Sequence, residues 1–280
     1  MKPNFDNETM SSMILFLDNI IGDKGQGYTN FSGNFYSTSN LINGIYTYSL
    51  PFKQIVADNS VSGANILSGL YLNGSFVNVG QSGLVGINHL NGQAFFNTYV
   101  SPTSLSGNYA VKDFNLYLTN KPEEELLFET QYTVRPKISQ TVTGLSPNAQ
   151  TIPAIFIKSN TSINEPFAFG GTVDSKIEIR AIVIADNLFN LDAVCGLLRD
   201  SAYLRMPLIK NTDLSLNYLN CPSSGYYNYN SIRNGKIGAG DLFYIEEVSI
   251  TKNFAFMDKI NTSIFPAFVD FTLSKIRYTQ

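Results

Sequence analysis

GLYLNGSFVNVGQSGLVGINHLNGQAFF, residues Gly69 to Phe96, decides the fold class. Two Asn-Gly pairs, Asn73-Gly74 and Asn91-Gly92, each stand between apolar runs of strand length. Asn and Gly tolerate positive φ, which both central positions of a type I′ hairpin turn require. A third pair, Asn43-Gly44, lies upstream in LINGIYTY, and a fourth, Asn234-Gly235, lies far downstream in SIRNGKIG. The pattern predicts consecutive antiparallel hairpins. Their unequal intervals argue against a repeat.

Outward from this stretch, Gly25 to Val111 holds only two charged residues, Lys53 and Asp58, in 87 positions. Gly, Ser and Asn fill 36 of them. Disorder goes with few aromatics and high net charge, and neither holds here. Such a surface would be poorly soluble if fully wetted, so the reading is that neighbouring subunits cover much of it. The whole chain shares this character: it is 15% charged, against about 25% for an ordinary soluble protein, with a net charge of -3. That balance argues against a basic face for duplex nucleic acid. One His and two Cys cannot fill a tetrahedral zinc site of the Cys/His type, and no cofactor or metal is expected.

At the N-terminus, Met10, Met13, Ile14, Leu17, Ile20 and Ile21 recur at helical spacing, with Gly22 as the stop. The apolar face packs either on its own subunit or, as an arm, on a neighbour. MILFL, Met13 to Leu17, is too short to span a bilayer, which takes about 20 residues. Acids flank it and no cleavage site follows, so synthesis in the cytoplasm without a signal peptide is expected. Downstream, Ala110 to Leu118 and Leu126 to Val134 alternate as strands, with Glu123-Glu124-Glu125 in a solvated turn between them. Ser139 to Gln150 is a polar connector. Ile177 to Ala185 is a nearly continuous apolar run, as in a buried central strand. Asn190 is expected to cap a following helix, LDAVCGLLRD, and Leu208-Ile209 to begin another strand. Leu242 to Ile250 and Ala267 to Tyr278 read as further strands. The fold class is therefore mainly β, with antiparallel hairpins in a β-sandwich or barrel-like core, an N-terminal helix and a small α+β module in the C-terminal part. The organisation is a helical arm, 1–24, a charge-poor β domain, 25–150, and a β-rich α+β domain, 151–280, or one continuous domain across 25–280.

No catalytic grouping emerges. His89, beside an Asn-Gly turn, reads as structural or superficial, so a Ser-His-Asp arrangement has no base. Cys195 falls on the apolar face of the expected helix. Cys221, in a loop, is the more reactive thiol. GDKGQG and GKIGAGD do not follow a strand into a helix and are turns rather than phosphate cradles. What remains is surface. The Tyr/Asn-rich loops Ser224 to Asn230 and Asn30 to Asn40 have the composition of adaptable binding loops. The interface residues expected are Met13, Leu17 and Ile20 on the arm and Tyr226, Tyr227 and Tyr229 in a contact loop.

Two segments, Gly69 to Phe96 and KIEIRAIVIADNLFNLDAVCGLLRDSAYLRMPLI, Lys176 to Ile209, resemble virion structural proteins of tailed bacteriophages, the β-rich components of neck, tail and baseplate. The resemblance covers about a fifth of the chain and implies no enzyme activity. It implies a homo-oligomeric, ring-forming protein of the virion, with other virion proteins as partners, no specific nucleic acid and no membrane span. The inserted helix departs from a simple tube subunit. A receptor- or glycan-binding β-sandwich is the alternative.

Overall fold

The structure, a computed structural model, describes residues 5–38, 44–128, 133–134, 151–252 and 264–278. It is mainly β with antiparallel sheets. The charge-poor stretch forms β1 (Tyr28–Asn34), β2 (Tyr36–Ser37), β3 (Tyr46–Ser49), β4 (Gly69–Leu72), β5 (Ser75–Asn78), β6 (Leu84–Asn88), β7 (Gln93–Phe96) and β8 (Leu105–Lys112). These pair in two four-stranded sheets, ordered β1-β8-β4-β5 and β2-β3-β7-β6. Phe35, Tyr48, Leu70, Ile87, Phe96 and Tyr109 fill one core from both sheets. Tyr48 brings its hydroxyl into that core satisfied, donating to the Val100 carbonyl at 2.6 Å and accepting from the Val100 N–H at 2.8 Å.

The Asn-Gly pairs have three fates. Asn73 (φ 50°) and Gly74 (φ 80°) form the two-residue turn between β4 and β5, closed by Leu72 opposite Ser75. Asn91-Gly92 ends a longer loop, because β6 and β7 close at Asn88 opposite Gln93; of this pair only Gly92 has positive φ. Asn43 lies outside the described residues. Asn234-Gly235 is not a turn at all but sits inside a helix, α4 (Tyr229–Ala239). That helix is capped by Asn228 at its start and by left-handed Gly240 at its end, which offsets two internal glycines, Gly235 and Gly238, each costing about 1 kcal/mol.

A third sheet takes most of the remaining chain: β9 (Asn115–Leu118), β12 (Ala154–Ala168), β13 (Thr172–Ala185), β14 (Arg205–Pro207), β15 (Leu242–Lys252) and β16 (Phe265–Tyr278). The order is β14-β15-β16-β13-β12-β9, antiparallel except where β9 runs parallel to β12. A short parallel pair, β10 (Thr133–Val134) with β11 (Thr151–Ile152), stands apart. The strand expected over Ala110 to Leu118 thus splits at Asp113-Phe114 into β8 and β9, which serve different sheets. Ile177 to Ala185 lies in the central strand β13, with β12 and β16 on its two edges. The Leu208-Ile209 strand is corrected: β14 ends at Pro207 and both residues are buried beyond it.

Helices α1 (Phe5–Asn19) and α3 (Leu188–Arg199) lie on one face of this sheet. Gly22 does not stop the first of them; a π-turn, Ile20–Lys24, carries it on to Gly25. The cap of α3 is Asn187, whose side chain accepts the Asn190 N–H at 2.7 Å, so Asn190 lies inside the helix. The strand expected from Leu126 begins instead as helix α2 (Glu123–Phe128). Three glutamates directly after Pro122 favour a helix N-terminus, where the backbone N–H groups carry partial positive charge. Glu123 is no solvated turn residue. Its carboxylate pairs with Arg180 at 2.8 Å and Lys158 at 3.0 Å, and Arg180 grips Asp270 with two further bonds. Burial pushes the Glu123 carboxyl up, but the bonds from Arg180 and Lys158 outweigh it and hold it below the usual range. Thr130, Tyr132 and the 139–150 connector lie outside the described residues.

Candidate functional site

Two features stand out among the described residues: a cleft between the sheets, and the outer half of the β12–β13 hairpin. The cleft has a volume of about 800 Å³. Leu90 on the β6–β7 loop, Leu118 on β9, and Leu216 line it and are 55%, 51% and 40% exposed. Its open surface is mostly apolar, but about half of its lining residues are polar or charged, Asp18, Lys112 and Asp213 among them. Asp18, at the end of α1, pairs with Lys112 on β8 at 2.7 Å and accepts the Tyr227 hydroxyl at 3.0 Å. Burial first, and then the neighbouring Asp18 charge, push the Tyr227 phenol well above its ordinary value.

Beside it sits a buried hub. Asp58 is one of the two charged residues in the charge-poor stretch, and it is 1% exposed. Its carboxyl accepts from Asn19 Nδ2 (2.9 Å), the Ser60 N–H (2.9 Å), Ser60 Oγ (2.7 Å) and the Tyr229 N–H (2.9 Å). One side chain therefore joins the end of α1, its own loop and the first turn of α4. The bond to Tyr229 satisfies a helix N-terminal N–H that has no partner within its own helix. A lone acid in an uncharged run was the available sign of this role.

The expected interface residues go elsewhere. Met13 and Leu17 are fully buried and Ile20 is 4% exposed, all three in the core shared with β12, β13 and α3. The arm reading is corrected: the face lies against its own sheet, where burial costs no loss of rotational and translational freedom between molecules. Tyr229 is 2% exposed and belongs to the same core, and Tyr227 is tied to Asp18. Tyr226 and Tyr227, both half-buried, line the cleft, and Tyr226 also lines a smaller groove. His89 is structural: Nε2 donates to the Leu67 carbonyl at 3.2 Å, and burial pulls its imidazole down to about 4. Cys221 is not the reactive thiol expected. It is 1% exposed, and burial pushes its thiol, like that of Cys195, up to about 11.

The hairpin went unread in the sequence, although Gly170-Gly171 between two strand-like runs marks its turn (φ 102° and 85°). Its base, Ala154 to Ile157, is buried between β13 and β9. From Ser159 to Ala168 the β12 edge is exposed and has no strand beside it among the described residues. Ile163 is 47% and Phe167 59% exposed, and Phe169 at the tip is fully exposed. Glu165, the one charged residue of β12 between Ser159 and Ala168, is paired with Lys176 on β13 at 2.9 Å. The charge-poor sheets, by contrast, bury most of their large apolar residues in their own core, leaving Phe76, Leu90 and Tyr99 as the prominent exceptions. Compared with known proteins, the chain matches no family model and no curated protein sequence.

Proposed function

We propose that this chain is a non-enzymatic structural subunit of a tailed-phage particle, of the neck, tail or baseplate kind. It forms a ring in which the hairpin tip of one copy seats in the apolar cleft of the next. The observation that carries the reading is the fully exposed Phe169, with Phe167 behind it, on a chain that also holds an open apolar cleft. Large apolar side chains at an exposed tip mark an association surface. A knob and a pocket at different places on one molecule make a head-to-tail contact, which closes into a ring when the rotation permits. Glu165, the only charge on the outer half of β12, is paired with Lys176 across the hairpin. Its bare backbone edge offers further hydrogen bonds to a neighbour. The phage setting rests on the resemblance of Gly69 to Phe96 and Lys176 to Ile209.

Mass photometry and negative-stain microscopy of the purified protein, alone and with the products of its neighbouring genes, test this. Rings of defined size are expected. Phe167→Ser with Phe169→Ser should leave a folded monomer. Phe169→Cys with Leu216→Cys should give an oxidation-dependent ladder, against a low background because both native thiols are buried. A protein that stays monomeric at every concentration and never joins a particle overturns the reading. Rings that survive the double serine variant overturn the hairpin contact.

A further inference from the structure

A second, smaller groove of about 480 Å³ lies on the β4–β5 hairpin, apart from the tip of β12. Three aromatic residues, Tyr71, Phe76 and Tyr226, and three amides, Asn59, Asn65 and Asn108, line it, and no charged residue does. From these groups we infer that the groove binds a neutral saccharide.

The aromatic wall is built by cross-strand pairing. Tyr71 stands opposite Phe76, their rings 5.3 Å apart and at 67°. Gly69 makes room for this: an added Cβ would come within 2.7 Å of the Phe76 ring, so the ring lies across bare backbone. Phe76 remains 47% exposed, an aromatic surface offered to solvent. Gly225 (φ +81°) sets the opposite wall. It packs against the Ser68 carbonyl too closely for any side chain, and so carries Tyr226 to the groove.

The amides are poised in a complementary way. Their backbones are held: the Asn59 N–H donates to the Tyr227 carbonyl at 2.7 Å, the Asn65 N–H donates to Asn30 Oδ1 at 2.9 Å, and Asn108 lies within β8 opposite Ser32. Their side chains are exposed, and none makes a hydrogen bond to a described residue. Each amide offers two donors and an acceptor, which matches the vicinal hydroxyls of a sugar. The C–H face of a sugar ring, slightly positive, suits the negative face of an aromatic ring. With no Lys or Arg in the lining, phosphate, sulfate and carboxylate ligands find no counter-charge, which sets a neutral sugar apart from a nucleotide. The volume falls within the range of small-ligand clefts. The inference does not depend on ring assembly: Tyr71, Phe76 and the three amides lie outside the cleft, and Tyr226 is the one residue that lines both.

Saturation-transfer difference NMR on the full chain tests it. The probes are methyl glycosides of glucose, galactose, mannose, N-acetylglucosamine and rhamnose, with sialic acid and adenosine monophosphate as charged controls. Saturation of sugar ring protons is expected from at least one neutral glycoside and from neither control. Phe76→Ser and Asn108→Ala should each weaken binding about tenfold or more, with the thermal midpoint unchanged because both sites are exposed. Should Phe76→Ser unfold the protein, Asn65→Ala with Asn108→Ala gives the same readout. Silence from every neutral glycoside, equal binding of the charged controls, or full binding by the variants overturns the inference.

Discussion

His89 shows how a single residue can set a property of the whole chain. It is the chain's only histidine and is 6% exposed; its Nδ1 has no hydrogen-bond partner among the described residues. Burial holds its imidazole near 4 in the fold, whereas the unfolded chain binds a proton near 6.5. Between those values the unfolded state carries more protons, so stability is full above about pH 6.5 and falls as pH drops toward 4. The loss is about 3 kcal/mol over that window. Urea unfolding at pH 7 and pH 5 should show about 2 kcal/mol of it, and His89→Gln should flatten the difference. Asp58 makes the complementary point. Asp58→Ala leaves the Ser60 and Tyr229 backbone N–H groups without their acceptor, and the Asn19 amide with Ser60 Oγ alone, and should cost about 3 kcal/mol in the same measurement. A compensating rise in stability would mean that the hub is dispensable.

At the scale of elements, α1 and the β12–β13 hairpin are opposites. Helical spacing made α1 legible, but only packing decided whether its face met its own sheet or a neighbour. Leu17 is fully buried, so Leu17→Ala should lower stability by about 2–5 kcal/mol, read from the denaturation midpoint. Phe169→Ser, at the exposed tip, should change stability by less than about 0.5 kcal/mol while abolishing association. The Asn73-Gly74 turn was readable because its φ values select the residue types. Asn234-Gly235 was not, because the same dipeptide can be carried inside a helix that is well capped at both ends. For the Leu126 segment, a two-residue alternation competed with the helix start at Pro122 and the three acids, and the helix start won, with Glu123 then fastened to Arg180 and Lys158.

At the scale of the molecule, the two charge-poor sheets and the six-stranded sheet meet along the cleft, with Asp18–Lys112 and Asp58 as the polar joints. If the ring contact is an apolar tip in this cleft, molar sodium chloride should leave the rings intact in mass photometry, because salt screens charge pairs and not apolar burial. Dissociation by salt would point to a charged interface instead. The sequence by itself determined the β-rich class, the helical N-terminus, the central strand β13 and the scarcity of charge across 25–111, since these are properties of local period and composition. Only the tertiary structure decided which apolar surfaces were already spent. Met13, Leu17, Ile20 and Tyr229 proved to be core, while Phe169, Phe76 and the cleft were left open, because burial is settled by which distant segments fold against each other and no local pattern encodes that choice.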